Sequence, residues 1–310
     1  MTRAQAIRFT AVILIWGLTW RVIADQVGGP VPPIWSVAYR FLAAGAAMFA
    51  VVRLTGGSAK MDARGMMFAL GVALFQFVAN FNLVYEAERH VTSGLAAVVF
   101  ALMVMLNAVM ARIFLGHRLN ARIVVGAVLG MGGVLLLFHD DLVRPGGTGG
   151  GAALGLGLLL LATLCASSAN IMQATARARA LPPLTMLAHA MLYGGVLDAA
   201  FAWATRGPPV VPVGLRYYAG IAYLAFVGSA AAFAIYYKLI RDIGPSRAAN
   251  INLATPFVAM GVSTLFEGYR WTPWALGGAV LAAAGIALAL VKPRARVDAI
   301  PPASGAGAAA

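Results

Sequence analysis

Side chains able to bind a small molecule occur inside long apolar stretches of this sequence. A polar or charged group costs free energy in hydrocarbon unless it is paired, so each one needs a ligand or a structural partner. Aromatic rings can stack on a flat ligand, amides and guanidinium groups can hydrogen bond to it, and a proline can free backbone carbonyls. The candidates for a binding cavity are Trp20, Tyr39, Arg40, Gln76, Asn80, Tyr85, His189, Asn252 and Pro256.

Arg40 is the charged candidate that lies deepest within an apolar stretch. Its guanidinium group is a planar fork of donors that matches a carboxylate, so it could hold an anionic part of a substrate. An ion pair with Asp25 or Glu86 would instead brace a helix bundle, and the sequence favours this structural alternative.

Amide side chains recur at helical spacing. Gln76 and Asn80 are four residues apart and share a helix face, which Tyr85 extends by about one turn. Asn252 precedes Pro256, a residue that kinks a helix and leaves backbone carbonyls free to line a site. We expect Asn80 and Asn252 to face a cavity, although amides also connect helices by hydrogen bonds alone.

The remaining candidates have ordinary structural alternatives. His189 could carry a proton because the pKa of histidine lies near neutrality, but a lone histidine is more often only hydrogen bonded. Trp20, Tyr39 and Tyr85 could form an aromatic wall, whereas aromatic residues also collect at membrane interfaces. The sequence contains no His-x-x-x-Asp, Gly-x-Ser-x-Gly or paired-acid constellation, so we expect no enzyme, no cofactor and no metal site.

The composition indicates an integral membrane protein. Of the 310 residues, 61% are hydrophobic and 11% are charged, and the mean hydropathy is +0.84. Soluble domains carry charge on roughly a quarter of their residues. The basic residues that give the net charge of +13 fall mostly between apolar runs, where they orient helices and contact lipid headgroups. Nucleic acid is therefore not an expected partner.

Ten apolar segments meet the length of about 20 residues that crosses a bilayer as a helix. Most of the 23 basic residues fall in alternate connections, which by the positive-inside rule predicts that both termini face the cytoplasm. The expected location is the inner (plasma) membrane. The predicted spans are 6–25, 34–53, 65–85, 92–114, 122–139, 152–174, 184–204, 216–238, 247–266 and 273–291.

The sequence contains an internal repeat. Alignment of Gly116 with Gly268 also matches Gly126 with Gly278, without a gap. A repeat of five spans must enter the membrane from the opposite side, which predicts an all-α fold of two inverted five-helix repeats, as in alternating-access carriers. The predicted units are a first repeat at 6–139, a glycine-rich linker at 140–151, a second repeat at 152–291 and a disordered cytoplasmic tail at 292–310.

Short motifs in both halves resemble a known family, the EamA-type ten-helix members of the drug/metabolite transporter superfamily. The resemblance rests on Trp16-Gly17, Arg40-Phe41-Leu42, the block from Tyr85 to Ala97, Leu115-Gly116, Thr255-Pro256 and Gly268-Tyr269-Arg270-Trp271. It implies an exporter of amino acids or other metabolites, and the block that begins at Tyr85 looks like the branch that exports aromatic amino acids.

Three functions stay open at this point. The leading hypothesis is an alternating-access exporter of small metabolites, chiefly amino acids, with the lipid bilayer as its medium and protons as a possible coupling ion. A carrier of phosphorylated or nucleotide-linked sugars would need several cationic side chains, and only Arg21 and Arg40 are available. A scaffold or receptor would normally have a larger soluble region. A monomer or a weak dimer is expected.

Overall fold

The computed structural model describes residues 2–116, 121–137, 139–140, 149–211, 214–243 and 251–290. Most of the predicted linker at 140–151 and the whole predicted tail at 292–310 lie outside the described residues. His117 and Arg118, which belong to the connection after the fourth predicted span, also lie outside them.

The helices follow the predicted apolar stretches to within a few residues. The bounds in the first half are α1 Arg3–Val27, α2 Pro33–Leu54, α3 Ala63–Ala87, α4 Ser93–Leu115 and α5 Ala121–Leu137. In the second half they are α6 Gly149–Ala174, α7 Pro183–Arg206, α8 from Leu215–Ala222 through Ala232–Ile243, α9 Ile251–Phe266 and α10 Pro273–Leu290.

Among the described residues, seven helices are long and apolar enough to cross a membrane. Three further apolar helices are shorter, namely Val124–Leu137, Ala254–Phe266 and Pro273–Gly285. Large apolar side chains such as Leu54 and Phe201 are exposed on the outside of the bundle. A bilayer solvates such a surface, whereas water does not. The helical membrane class is therefore confirmed, and the count of ten crossings stays a prediction.

Local sequence signals explain where several helices begin. Thr2 caps α1, because its side chain accepts a hydrogen bond from the Gln5 backbone and the Gln5 side chain bonds back to the Thr2 backbone. Pro33 and Pro183 occupy the first positions of α2 and α7, where the missing N–H of proline has no cost.

Two helix pairs that join the halves approach closely through glycines. A Cβ atom at Gly45 would lie 2.7 Å from the Leu192 nitrogen, and one at Gly195 would lie 2.5 Å from the Leu42 nitrogen, so α2 and α7 pack backbone to backbone. Gly133 of α5 meets α10 in the same way. These faces therefore pack within the chain, as small residues do between membrane helices.

Helices α3 and α8 are both irregular. Each contains a π-helical segment, Ala73–Ala79 in α3 and Tyr223–Ala231 in α8. A π-helical turn shifts the side chains that follow it around the helix axis and is frequent at functional sites. Both segments contribute residues to the cavity described below.

Candidate functional site

An internal cavity of about 130 Å³ lies among helices of both halves. Helices α1, α2, α3 and α4 contribute walls from the first half, and α6, α8 and α9 contribute walls from the second. A space of this order can hold a small molecule. The aromatic wall residues are Trp16, Trp20, Phe81, Phe100, Phe233 and Tyr236, and the polar ones are Thr19, Arg40, Gln76, Asn80, Asn170, Asn252 and Thr255.

The fold brings five of the nine predicted site residues together around this cavity. They come from four helices and are Trp20, Arg40, Gln76, Asn80 and Asn252. The ring of Trp20 packs edge-on against Phe100, with 5.0 Å between the centroids, so this part of the wall is a fixed aromatic corner.

The other four predicted residues lie elsewhere. Tyr39 donates a hydrogen bond of 3.1 Å to the Val210 carbonyl. Tyr85 does not line the cavity but is fully buried next to Arg40, with which it interacts. His189 donates from Nδ1 to the Thr185 carbonyl at 2.9 Å, which is the structural role that the sequence left open for it. Pro256 lies inside α9, directly after Thr255, which itself lines the cavity.

Arg40 is buried in an unusual setting. It is 1% exposed, and its Nε donates a hydrogen bond of 3.0 Å to Ser229 Oγ. The guanidinium carbon lies 4.4 Å from the centroid of the Phe81 ring, a cation–π contact. Its Nη1 has no hydrogen-bond partner among the described residues. A desolvated cation therefore lies beside the cavity, and the phenol of Tyr85 is close enough to interact with its guanidinium group.

The prediction that Arg40 pairs with Asp25 or Glu86 is wrong, because both acids pair with other arginines among the described residues. Asp25 pairs with Arg21 and with Arg216, the latter at 2.7 Å. Glu86 pairs with Arg89 at 3.3 Å. These carboxylates lie near the ends of helices, where other arginines reach them. Arg40 is held by a serine and aromatic rings instead.

Asn80 offers a hydrogen-bond acceptor where Arg40 offers a donor. It is 2% exposed, and its Nδ2 donates a hydrogen bond of 3.2 Å to the Gln76 carbonyl. A carbonyl oxygen only accepts, so the amide nitrogen of Asn80 must face it and the amide oxygen is left over. That oxygen has no partner among the described residues. The cavity wall thus contains a free acceptor as well as the cationic donor of Arg40.

Sequence reasoning missed several wall residues. Asn170 is an amide inside an apolar helix and carried the same signal as Asn80, yet it was not singled out. Trp16, Thr19, Trp20 and Ile23 all line the cavity and follow the spacing of one helix face, which was a second available signal. The described residues contain no group of three or more His, Cys, Asp or Glu that could hold a metal ion.

The fold and the cavity together define an integral membrane protein of α-helices with a partly polar cavity between helices of both halves. Residues 6–139 and 153–291 each match the EamA-like transporter family, so the chain belongs to this family of membrane transporters. The resemblance seen in the motifs is therefore confirmed.

Similar proteins span nearly the whole chain. The uncharacterized inner membrane transporter YedA of Escherichia coli is 28% identical over 83% of this chain and 81% of its own length. A protein of Escherichia coli named "Probable amino-acid metabolite efflux pump" is 25% identical, over 92% of this chain and 94% of its own length. Protein PagO of Salmonella typhimurium is 22% identical over 85% of each chain.

A solved crystal structure shares the fold. Its TM-score is 0.66 at 20% sequence identity, over 93% of this chain and 97% of the other.

Proposed function

We propose that this membrane transporter is an alternating-access carrier that exports small metabolites of the amino acid class, with preference for apolar or aromatic side chains. The observation that carries the proposal is the pairing of Arg40 and Asn80 in one cavity wall. A cationic donor and a free amide acceptor, both desolvated, complement the carboxylate and the ammonium group of an amino acid. The aromatic corner at Trp20 and Phe100 suits its side chain.

The charge of the wall supports the same substrate class. Arg40 is the one Lys or Arg among the described residues that line the cavity, and no described wall residue is Asp or Glu. One cation can balance one carboxylate, whereas a sugar phosphate or a nucleotide-linked sugar carries more negative charge. Arg21, the other cation considered for such a substrate, is paired with Asp25. The relative named as an amino-acid metabolite efflux pump also favours an amino acid.

Alternating access requires two inverted five-helix repeats, one in each half of the chain, and this arrangement is part of the proposal. The family matches the chain twice, once in each half. The crossing of α2 and α7 is reciprocal, because Gly45 meets Leu192 while Gly195 meets Leu42. The π-helical segments of α3 and α8 occupy corresponding helices, and the cavity takes walls from both halves. A site between two such repeats can open to either face when one repeat rocks against the other.

The orientation is part of the proposal. With both termini in the cytoplasm, the connection between α2 and α3 faces the cytoplasm and the connection between α3 and α4 faces outward. The naming of a relative as an inner membrane transporter supports the inner membrane as the location.

The test is exchange of amino acids across liposomes that contain the purified protein. Vesicles preloaded with unlabelled phenylalanine, tryptophan, leucine or glucose 6-phosphate are diluted into the labelled form of the same compound, and its entry is followed. We expect exchange of the amino acids and none of the sugar phosphate. Exchange of glucose 6-phosphate without any amino acid would overturn the substrate class.

A tryptophan pair tests whether the cavity is the site. An aromatic contact contributes about 0.5–1.5 kcal/mol beyond buried area, so Trp20→Ala should raise the apparent KM for tryptophan roughly 2- to 10-fold. Trp203, which is 59% exposed on the outside of α7, provides the matched control, and Trp203→Ala should leave that KM unchanged. Equal effects of both substitutions would argue against this cavity.

A further inference from the structure

A second cavity, of about 410 Å³, lies at the end of α3 that faces outward in the proposed orientation. Its walls come from the connection between α3 and α4, the start of α4, the segment that follows α9 and one residue of α1, Ala24. Glu88 belongs to the connection between α3 and α4, and Glu267 belongs to the segment that follows α9. No motif in the sequence pairs these acids, because they come from different halves of the chain.

The two carboxylates have opposite environments. Glu267 accepts three hydrogen bonds, from the Ser93 backbone nitrogen at 3.1 Å, from Ser93 Oγ at 2.5 Å and from Ser263 Oγ at 2.9 Å. Donors of this kind stabilise the ionised form of a carboxylate. Glu88 is 8% exposed, and neither of its carboxylate oxygens has a hydrogen-bond partner among the described residues.

A buried carboxylate that lacks donors and lies near a second carboxylate is poorly stabilised as an anion. Burial, reinforced by the charge of Glu267, raises the pKa of Glu88 well above its usual value, while Arg40 and Arg21 oppose the shift. Glu88 follows α3 and so lies outside the membrane-spanning segments. It is therefore a group that gains a proton readily from the cavity.

Among the described residues no cation lies within salt-bridge distance of Glu88, although Arg40 and Arg21 attract its carboxylate from farther away. Arg89 and His90 line the same cavity, but they lie 3.3 Å and 3.8 Å from the carboxylate of Glu86. Besides Glu267, Arg40 and Arg21, the described neighbours include two phenols, Tyr85 at the end of α3 and Tyr269 in the segment after α9.

We propose that Glu88 is the proton-coupling residue of this carrier and that its protonation allows the contact between Ser93 and Glu267 that closes the outward face; this inference rests on the proposed function. A hydronium ion at the outward face transfers its proton to one carboxylate oxygen of Glu88, which leaves a neutral carboxyl group and a water molecule. The carboxyl group releases this proton after the carrier has opened toward the cytoplasm. Ser93 begins α4 and Glu267 follows α9, so their hydrogen bonds join the two halves.

Repulsion between the two acids gives the coupling its direction. When Glu88 is ionised, its charge opposes the approach of Glu267 and therefore opens the outward face. When Glu88 is protonated, that repulsion disappears and Glu267 can bind Ser93. A proton taken up outside thus favours the return of the carrier toward the cytoplasm, where it can load the next molecule for export.

Proton binding can be tested without any substrate. Infrared difference spectra of the purified protein follow the band of protonated carboxyl groups as the pH is raised. We expect wild type to keep one carboxyl group protonated to a higher pH than an exposed glutamate does, and Glu88→Gln to lack that group. Glu86→Gln, a change of an acid in the same region with a 45% exposed side chain, should keep this group. The same spectra for wild type and Glu88→Gln over the whole titration would overturn the proton site.

Coupling is tested by flux with the amino acid that wild type exchanges. Exchange moves no net protons, so Glu88→Gln should retain it, whereas accumulation driven by an imposed pH gradient should be lost. Glu86→Gln should retain both activities. Gradient-driven accumulation by Glu88→Gln, or accumulation that follows a sodium gradient instead, would overturn the coupling role. Failure of exchange in wild type would refute the proposed function, while the infrared result would still decide whether Glu88 holds a proton.

Discussion

Replacement of Arg40 by methionine tests whether this residue binds the substrate or stabilises the helix bundle. Methionine has a similar length and no charge, so Arg40→Met removes the guanidinium group with little change of volume. If Arg40 holds the carboxylate of a substrate, the variant should fold and fail to bind. If Arg40 braces the bundle, the variant should lose stability first.

The contacts of Arg40 indicate the size of each effect. Loss of the hydrogen bond to Ser229 costs about 1 kcal/mol, and loss of a desolvated cation–π contact with Phe81 costs about 2 kcal/mol. Against these, removal of an unpaired buried charge returns several kcal/mol of desolvation free energy. We therefore expect an unchanged or higher Tm. The missing bond to a substrate carboxylate, about 1.5–3 kcal/mol, should raise the apparent KM about 10- to 100-fold.

The assay combines amino acid exchange in liposomes with thermal unfolding in detergent. Arg53→Met provides the matched control, because Arg53 lies at the exposed end of the same helix, α2. The control should show the wild-type KM. A Tm of Arg40→Met well below that of wild type, or exchange with the wild-type KM, would refute the reasoning.

Two further predictions concern packing and orientation. Gly45→Ala should lower the free energy of unfolding by about 1–3 kcal/mol, because the new Cβ would meet the Leu192 backbone. Gly157→Ala is the control and should leave the free energy of unfolding unchanged, because its Cβ has open space. Equal melting curves for the two variants would contradict this prediction. Single cysteines at the exposed residues Ser58 and Val211, in a background without the native cysteine, should react with an impermeant maleimide from opposite faces of the membrane; reaction from the same face would contradict the proposed topology.

Much of the site was predictable because burial in a bilayer penalises polar groups one at a time. Arg40, Asn80 and Asn252 each stand out in an apolar stretch, and all three line the cavity. Tyr39 and His189 carried the same kind of signal but hydrogen bond to backbone carbonyls, those of Val210 and Thr185. An unusual residue type is therefore visible in a sequence, whereas the absence of a protein partner is not.

The rotation of each helix about its axis was harder to predict than its bounds. Helix α10 is apolar on all sides, so its sequence contains no polar stripe to orient it. Lipid and protein interior are both apolar, and only close packing at small residues distinguishes them. Asn170 was missed for a related reason, since its place in the wall depends on the rotation of α6 against its neighbours.

The sequence by itself determined the helical membrane class, the approximate helix bounds and the family motifs, because hydropathy and turn residues act over short distances along the chain. Tertiary structure decided which polar residues meet. Glu88 follows α3 in a connection that reads as a solvated loop, and Glu267 follows α9 in the other half. Only the folding of the halves against each other buries Glu88 and places both acids around one cavity, because desolvation and charge repulsion depend on distances between distant parts of the chain.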